Sequence, residues 1–160
     1  MSRVDSRQGL EPSLLDRLID PTSGGTAWRP GYGIEQMVEV VRRDLEDLLN
    51  TRQSAADIPA QLREVQHSII GYGLPDLTAL EAITPEQRQQ IGRALEVVVS
   101  RFEPRLKDVR ATLLDPTPGP ERTIRFHLDA RLCLHPAPEV AFETLLELGT
   151  GHYSVRHRDT

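Results

Sequence analysis

Three kinds of residue in this chain could do chemistry: carboxylates, histidines and a single thiol. A hydrolase of sugar chains would need one carboxyl group with a raised pKa and a second carboxylate across a cleft. The chain has 24 acidic residues, but no local pattern sets a pair apart. Trp28 is its only tryptophan and aromatic residues make up 4% of it, a poor lining for a sugar cleft. A peptidoglycan glycosidase of lysozyme-like kind is therefore the alternative reading. The histidines are His67, His127, His135, His152 and His157. No two stand four apart as helical zinc ligands do, and the chain has no paired cysteines. Cys133 has no motif that marks a base for it and reads as a half-buried structural residue. Gly149-Thr150-Gly151 lacks the spacing of a phosphate-binding loop and reads as a turn. The expectation is no catalytic residue, no cofactor site and no metal site.

One other cluster stands out. Glu103, Pro104 and Arg105 come where an apolar-periodic segment gives way to strand-like alternation. The residue before a proline is disfavoured in helical conformation, so a helix must stop near Glu103. If the chain is extended there, Glu103 and Arg105 project to one side, with Phe102, Pro104 and Leu106 toward the core. The two charges then either satisfy each other or form a fork offered to another protein. An arginine suits the second role because its planar guanidinium binds carboxylates in two-point fashion.

The elements that position this cluster follow from periodicity. Leu14, Leu15, Leu18 and Ile19 predict a short amphipathic helix after Glu11-Pro12-Ser13. Ile34, Met37, Val38, Val41, Leu45, Leu48 and Leu49 follow three-four spacing and predict a long helix ending at Asn50. Glu39, Arg42, Arg43, Glu46 and Asp47 fall on its opposite face and read as solvated, with contact to a partner as the alternative. Gly71-Tyr72-Gly73 predicts an unusual backbone path with the tyrosine ring as an anchor. Thr84-Pro85-Glu86-Gln87 is a strong helix start, with threonine as cap, proline in the first turn and glutamine reaching back. Ile91, Leu95, Val98 and Phe102 continue that helix.

Beyond it the period changes to two. Ile124, Phe126, Leu128, Ala130, Leu132 and Leu134 alternate with mostly polar residues, and Val140, Phe142, Leu146 and Leu148 repeat the pattern. An earlier strand lies between Leu106 and Leu114. Leu106 is even while Val109, Ala111 and Leu113 are odd, which predicts a bulge at Lys107-Asp108. A last strand is expected over 153–155. The fold class is α+β: N-terminal helices packed on one face of a small, mainly antiparallel C-terminal meander. The first or last strand of such a meander presents an edge, which a protein either protects or uses to receive a partner's strand. The organisation reads as a flexible tail at 1–10, a short helix and linker at 11–33, and one domain at 34–157.

The net charge of −5 argues against a general nucleic-acid binder. No apolar run approaches the roughly 18–20 residues of a membrane span, which excludes direct membrane insertion. One cysteine and a polar start suit the cytoplasm.

Glu103-Pro104-Arg105-Leu106 resembles the signature of the TssE family of type VI secretion baseplates and of the related wedge proteins of contractile phages. Ser13-Leu14-Leu15-Asp16-Arg17-Leu18 is similar to that family's N-terminal helix. Arg42-Arg43-Asp44-Leu45-Glu46-Asp47-Leu48-Leu49-Asn50-Thr51-Arg52 resembles its next helix. Ser68 to Leu77 resembles its turn segment, with Gly71 where asparagine is expected. Val140 to Thr144 and Thr150-Gly151 match its last strand and the turn after it. The resemblance runs from about residue 13 to 155, in the family's order. It implies a non-catalytic subunit of a type VI secretion baseplate, bacterial and cytoplasmic, in an assembly docked at a membrane. It further implies wedge partners of the TssF, TssG and TssK type and sheath partners of the TssB and TssC type, with a role in starting sheath polymerisation. On this reading Glu103, Pro104 and Arg105 form the partner interface, and the sheet edge templates the first sheath ring.

Overall fold

In the computed structural model the residues described are 14–19, 33–55, 58–75, 84–114, 123–134 and 137–158. The tail expected at 1–10 and the linker before Gly33 lie outside them. The chain divides into two units, 1–40 and 41–160.

The first unit contains helix α1 (Leu14–Ile19) and the opening turns of helix α2 (Ile34–Asn50), which straddles the boundary. Leu15 and Leu18 of α1 are exposed while Asp16 is buried, so those two leucines do not form the buried stripe their spacing suggests. The Gln36 side chain reaches back to accept from the Gly33 backbone N–H at 3.0 Å, satisfying a donor that a helix start leaves open.

The second unit holds the rest of α2, a short helix α3 (Arg63–Gln66), helix α4 (Pro85–Phe102) and four strands. The α4 start is the predicted capping box: Thr84 Oγ1 accepts from Gln87 N at 3.3 Å, and Gln87 Oε1 accepts from Thr84 N at 3.1 Å. Strands β1 (Leu106–Leu113), β2 (Thr123–Leu132), β3 (Glu139–Glu147) and β4 (Tyr153–Arg158) form one antiparallel sheet in chain order. The last strand is longer than its expected three residues.

Strand alternation sets the core. Ile124, Phe126, Leu128, Ala130 and Leu132 of β2 are buried, and Val140, Phe142, Thr144 and Leu146 of β3 lie on the same face. Val41 and Leu45 of α2 and Leu95 and Val99 of α4 have no exposed surface. Each such large apolar side chain contributes about 1.5–3 kcal/mol when removed from water. Thr144 is fully buried, and its hydroxyl donates to the Phe126 carbonyl at 3.3 Å. Gly92 lets α4 approach the sheet: a Cβ there would lie 3.4 Å from the Phe126 ring.

The parity slip in β1 is real. Lys107 pairs with Arg131 and Arg110 with Asp129, so three steps on β1 answer two on β2. Asp108 takes the strain, at φ 55°, a left-handed conformation that aspartate tolerates better than most residues. The bulge returns Ala111 and Leu113 to the face of Leu106, opposite Leu128 and Phe126. Cys133, expected half-buried, is exposed, because it follows the end of β2 and falls on the face away from the core.

Helix side chains answer some of the backbone groups on both outer strands. On β1 the Ala111 N–H donates to Glu96 Oε1 of α4 at 2.8 Å. On β4 the covering is more extensive. Asn50 accepts from Tyr153 N at 2.9 Å and donates to Tyr153 O at 2.8 Å. Val155 N donates to Glu46 Oε2 at 3.3 Å, and Val155 O accepts from Arg42 Nη1 at 3.1 Å. Arg42, Glu46 and Asn50 repeat every four residues, about 6 Å along a helix, close to the two-residue rise of roughly 6.7 Å along a strand. The helix thus answers alternate edge residues as a neighbouring strand would. Arg42 and Glu46, expected on a solvated face, are edge partners instead.

Removing both acceptors in Glu46→Ala/Asn50→Ala orphans edge groups and is expected to cost about 1–3 kcal/mol. Hydrogen exchange would locate the loss at the Tyr153 and Val155 amides. Unchanged protection of those two amides would contradict the edge assignment.

Candidate functional site

The junction after α4 is a turn, not an extended segment. Glu103 closes the helix, donating its N–H to Val99 O at 2.9 Å, with φ −113° and ψ 82°. The chain turns through Pro104 and Arg105, and Leu106 N donates to Glu103 O at 3.1 Å. Cys133 N donates to Arg105 O at 2.8 Å, tying the turn to the residue after β2. The turn changes which residues face in. Glu103 is buried, Pro104 is exposed, and Phe102 is half-buried. The expectation that Pro104 would share the core side with Phe102 and Leu106 is therefore corrected: alternation holds only for an extended chain.

A buried carboxylate must have its oxygens satisfied. Glu103 Oε1 accepts from Arg105 N at 3.1 Å and from Arg105 Nε at 2.6 Å, and its Oε2 accepts from Arg105 Nη2. The same Nη2 donates to Asp44 Oδ2 on α2 at 2.7 Å. Asp44 Oδ1 accepts from Arg43 Nη2, also at 2.7 Å. Arg43, Asp44, Arg105 and Glu103 therefore form a ladder of alternating charge. Burial works against the Arg105 cation, but the hydrogen bonds it donates to Glu103 and Asp44, with their negative charges, more than offset it and hold its pKa above the ordinary arginine value.

Tyr72 closes the junction from a third side. Its ring meets Phe102 edge-on, with centroids 5.3 Å apart. Burial, and then the charges of Asp47, Asp44 and Glu103, push the Tyr72 hydroxyl above its usual pKa. The glycines on either side are required by the path. A Cβ on Gly71 would lie 2.5 Å from Gln66 O. Gly73 has φ 99°, and its Cβ would lie 2.4 Å from Thr51 O. This close approach makes a one-residue parallel bridge between Arg52 and Leu74, with Leu74 N donating to Thr51 O and Gln53 N to Leu74 O, both at 2.8 Å.

The junction is built to neutralise charge, not to separate an acid from a base. Its two carboxylates share one guanidinium, which leaves no isolated proton donor of the kind glycoside cleavage needs. No group of three or more metal-ligating side chains converges among the described residues. No helix among them is long and apolar enough to cross a membrane. The sequence pointed to Glu103 and Arg105 but not to Asp44, which is 61 residues away from Arg105. The acidic residues of α2 carried no signal that would single it out.

Removing Arg105 leaves a buried carboxylate without its cation, so Arg105→Ala is expected to lower stability by about 2–4 kcal/mol in denaturant unfolding. Gly73→Ala combines a left-handed backbone with a backbone clash and is expected to cost at least about 1–3 kcal/mol. Near-wild-type unfolding midpoints for either variant would contradict these contacts.

Comparison with known proteins adds three findings. The family model for baseplate wedge protein gp25 matches residues 35–137, more than half of the chain. Among solved structures, a chain of the baseplate complex from the type VI secretion system is similar, at 24% identity and a TM-score of 0.47. That likeness covers 79% of this chain and 97% of the other. No curated protein matches this one.

Proposed function

Because this chain belongs to the baseplate wedge protein gp25 family, we propose that it is a non-catalytic structural subunit of a type VI secretion baseplate. The observation that carries this reading is the family match, which spans α2, the Glu103–Arg105 junction and β2. The motif set read from the sequence supports the type VI assignment within that family. In this role the chain docks onto wedge subunits of the TssF, TssG and TssK type and helps to start polymerisation of a sheath of TssB and TssC type. It works in the bacterial cytoplasm, within a baseplate docked at the membrane.

Within this proposal, Glu103, Pro104 and Arg105 are the partner interface, with divided roles. Pro104 is exposed, and Arg105 keeps 28% of its side chain in solvent, so these two would meet the partner. Glu103 would act as a positioning residue that aims the guanidinium. Nε and Nη2 are taken by Glu103 and Asp44, so Nη1 of this always-charged group would be the donor for a carboxylate of a neighbouring subunit.

The test separates docking from folding. Replacing both charges, in Glu103→Ala/Arg105→Ala, removes the buried anion together with its cation and is expected to cost less stability than Arg105→Ala alone. The double variant should remain folded by circular dichroism and fail to co-purify with the wedge subunits. Recovery of wedge complexes at wild-type yield would overturn the docking role.

A further inference from the structure

The face of the sheet opposite the one that buries Phe126 and Phe142 carries a charge pattern that the Glu103–Arg105 junction does not use. The strand register places Lys107 and Arg110 of β1 on this face, opposite Arg131 and Asp129 of β2. It places Arg156 and Arg158 of β4 there too, opposite Glu143 and Ala141 of β3. Between these borders the face is largely self-neutralised. Arg125 lies 3.6 Å from Glu143, and Arg131 reaches Glu139 at 3.3 Å and Asp108 at 3.7 Å. The four border cations are all exposed. They take part in no ion pair or hydrogen bond with the described residues. A chain of net charge −5 thus keeps two pairs of unanswered cations on one face. They stand three strand spacings apart, about 14 Å.

The charge around them bears on the choice of partner. Glu139, Glu143 and Glu147 run along β3 on the same face, as a column. Arg125 and Arg131 neutralise part of that column, and the net charge of −5 of the whole chain opposes a continuous phosphate backbone laid across the sheet. A protein surface with separate carboxylates would instead meet the cations over β1 and over β4. A hollow of about 630 Å3 on this face, walled by Arg110 and Arg131 together with Asp108, Asp129, Glu139 and Ala141, can take a protruding segment. This surface is the face and not an edge: at Tyr153 and Val155 the β4 edge is already answered by α2.

We infer that the open face of the sheet is a second docking surface, which receives an acidic segment of a partner protein through Lys107 and Arg110 on one border and Arg156 and Arg158 on the other. This surface is distinct from the Glu103–Arg105 junction and does not depend on the baseplate reading. Complementary charge of this kind mainly sets the on-rate and the choice of partner, and it weakens with salt.

Lys107 is the only lysine in the chain, which makes the surface directly addressable. The probes are a synthetic helical peptide with glutamates at i, i+4 spacing, its lysine counterpart, and a single-stranded oligodeoxythymidine. At low ionic strength the glutamate peptide should bind, and a zero-length carbodiimide link should join it to Lys107. Arg156→Glu/Arg158→Glu should weaken that binding by about tenfold or more, with the fold unchanged by circular dichroism. Arg156→Gln/Arg158→Gln should weaken it less, and keeps the test valid if charge reversal disturbs the sheet. The lysine peptide and the oligonucleotide should bind at least about tenfold more weakly than the glutamate peptide. Absence of glutamate-peptide binding would overturn the inference. So would a link that bypasses Lys107, binding unaffected by either pair of substitutions, or an oligonucleotide that binds as well as the peptide.

Discussion

Glu103 is a carboxylate placed where water does not reach, and the surrounding structure answers it. An uncompensated buried charge costs several kcal/mol, so the cation that meets it cannot be optional. Arg105 supplies that cation from two residues away, and the turn through Pro104 allows it to fold back. Its second reach, to Asp44, joins the α4–β1 turn to α2. One guanidinium thereby fixes where a helix ends, where a strand begins, and which part of another helix lies alongside. Tyr72 packs on Phe102 at the same place, so the glycine-rich path from Gly71 to Gly73 belongs to this arrangement too.

The sheet obeys a parallel constraint. Outer strands carry backbone donors and acceptors that need partners or water. Here helix side chains provide several of them, Glu96 for β1 and Arg42, Glu46 and Asn50 for β4. The near match between four helical residues and two strand residues lets one polar stripe of α2 serve two edge positions. A sheet covered in this way at Tyr153 and Val155 meets partners through its open face or its turns more readily than through strand addition there.

Much of this was legible in the sequence because it is local. The capping box at Thr84, the stop at Glu103, the alternation of β2 and β3, and the bulge near Asp108 all follow from patterns within a dozen residues. The role of Tyr72 was legible from its two glycines. What the sequence did not show is contact at a distance. Asp44 looks like any other acid on a helix until the fold brings it to Arg105. Arg42 and Glu46 have the spacing of a solvated face, and an edge-covering stripe has the same spacing. Pro104 was assigned inward by strand alternation, which a turn does not obey. Exposure of Cys133 was missed because burial there depends on where β2 ends.

The account stands on the half-buried Arg105 joining Asp44 to Glu103, and a double-mutant cycle tests that link most directly. Stabilities would be measured for the wild type, Asp44→Ala, Arg105→Ala and the double variant. The account predicts that the two substitutions are not independent, with a coupling energy of about 1–3 kcal/mol. Effects that add to within about 0.3 kcal/mol would mean that the two side chains do not hold each other in solution, and would contradict it.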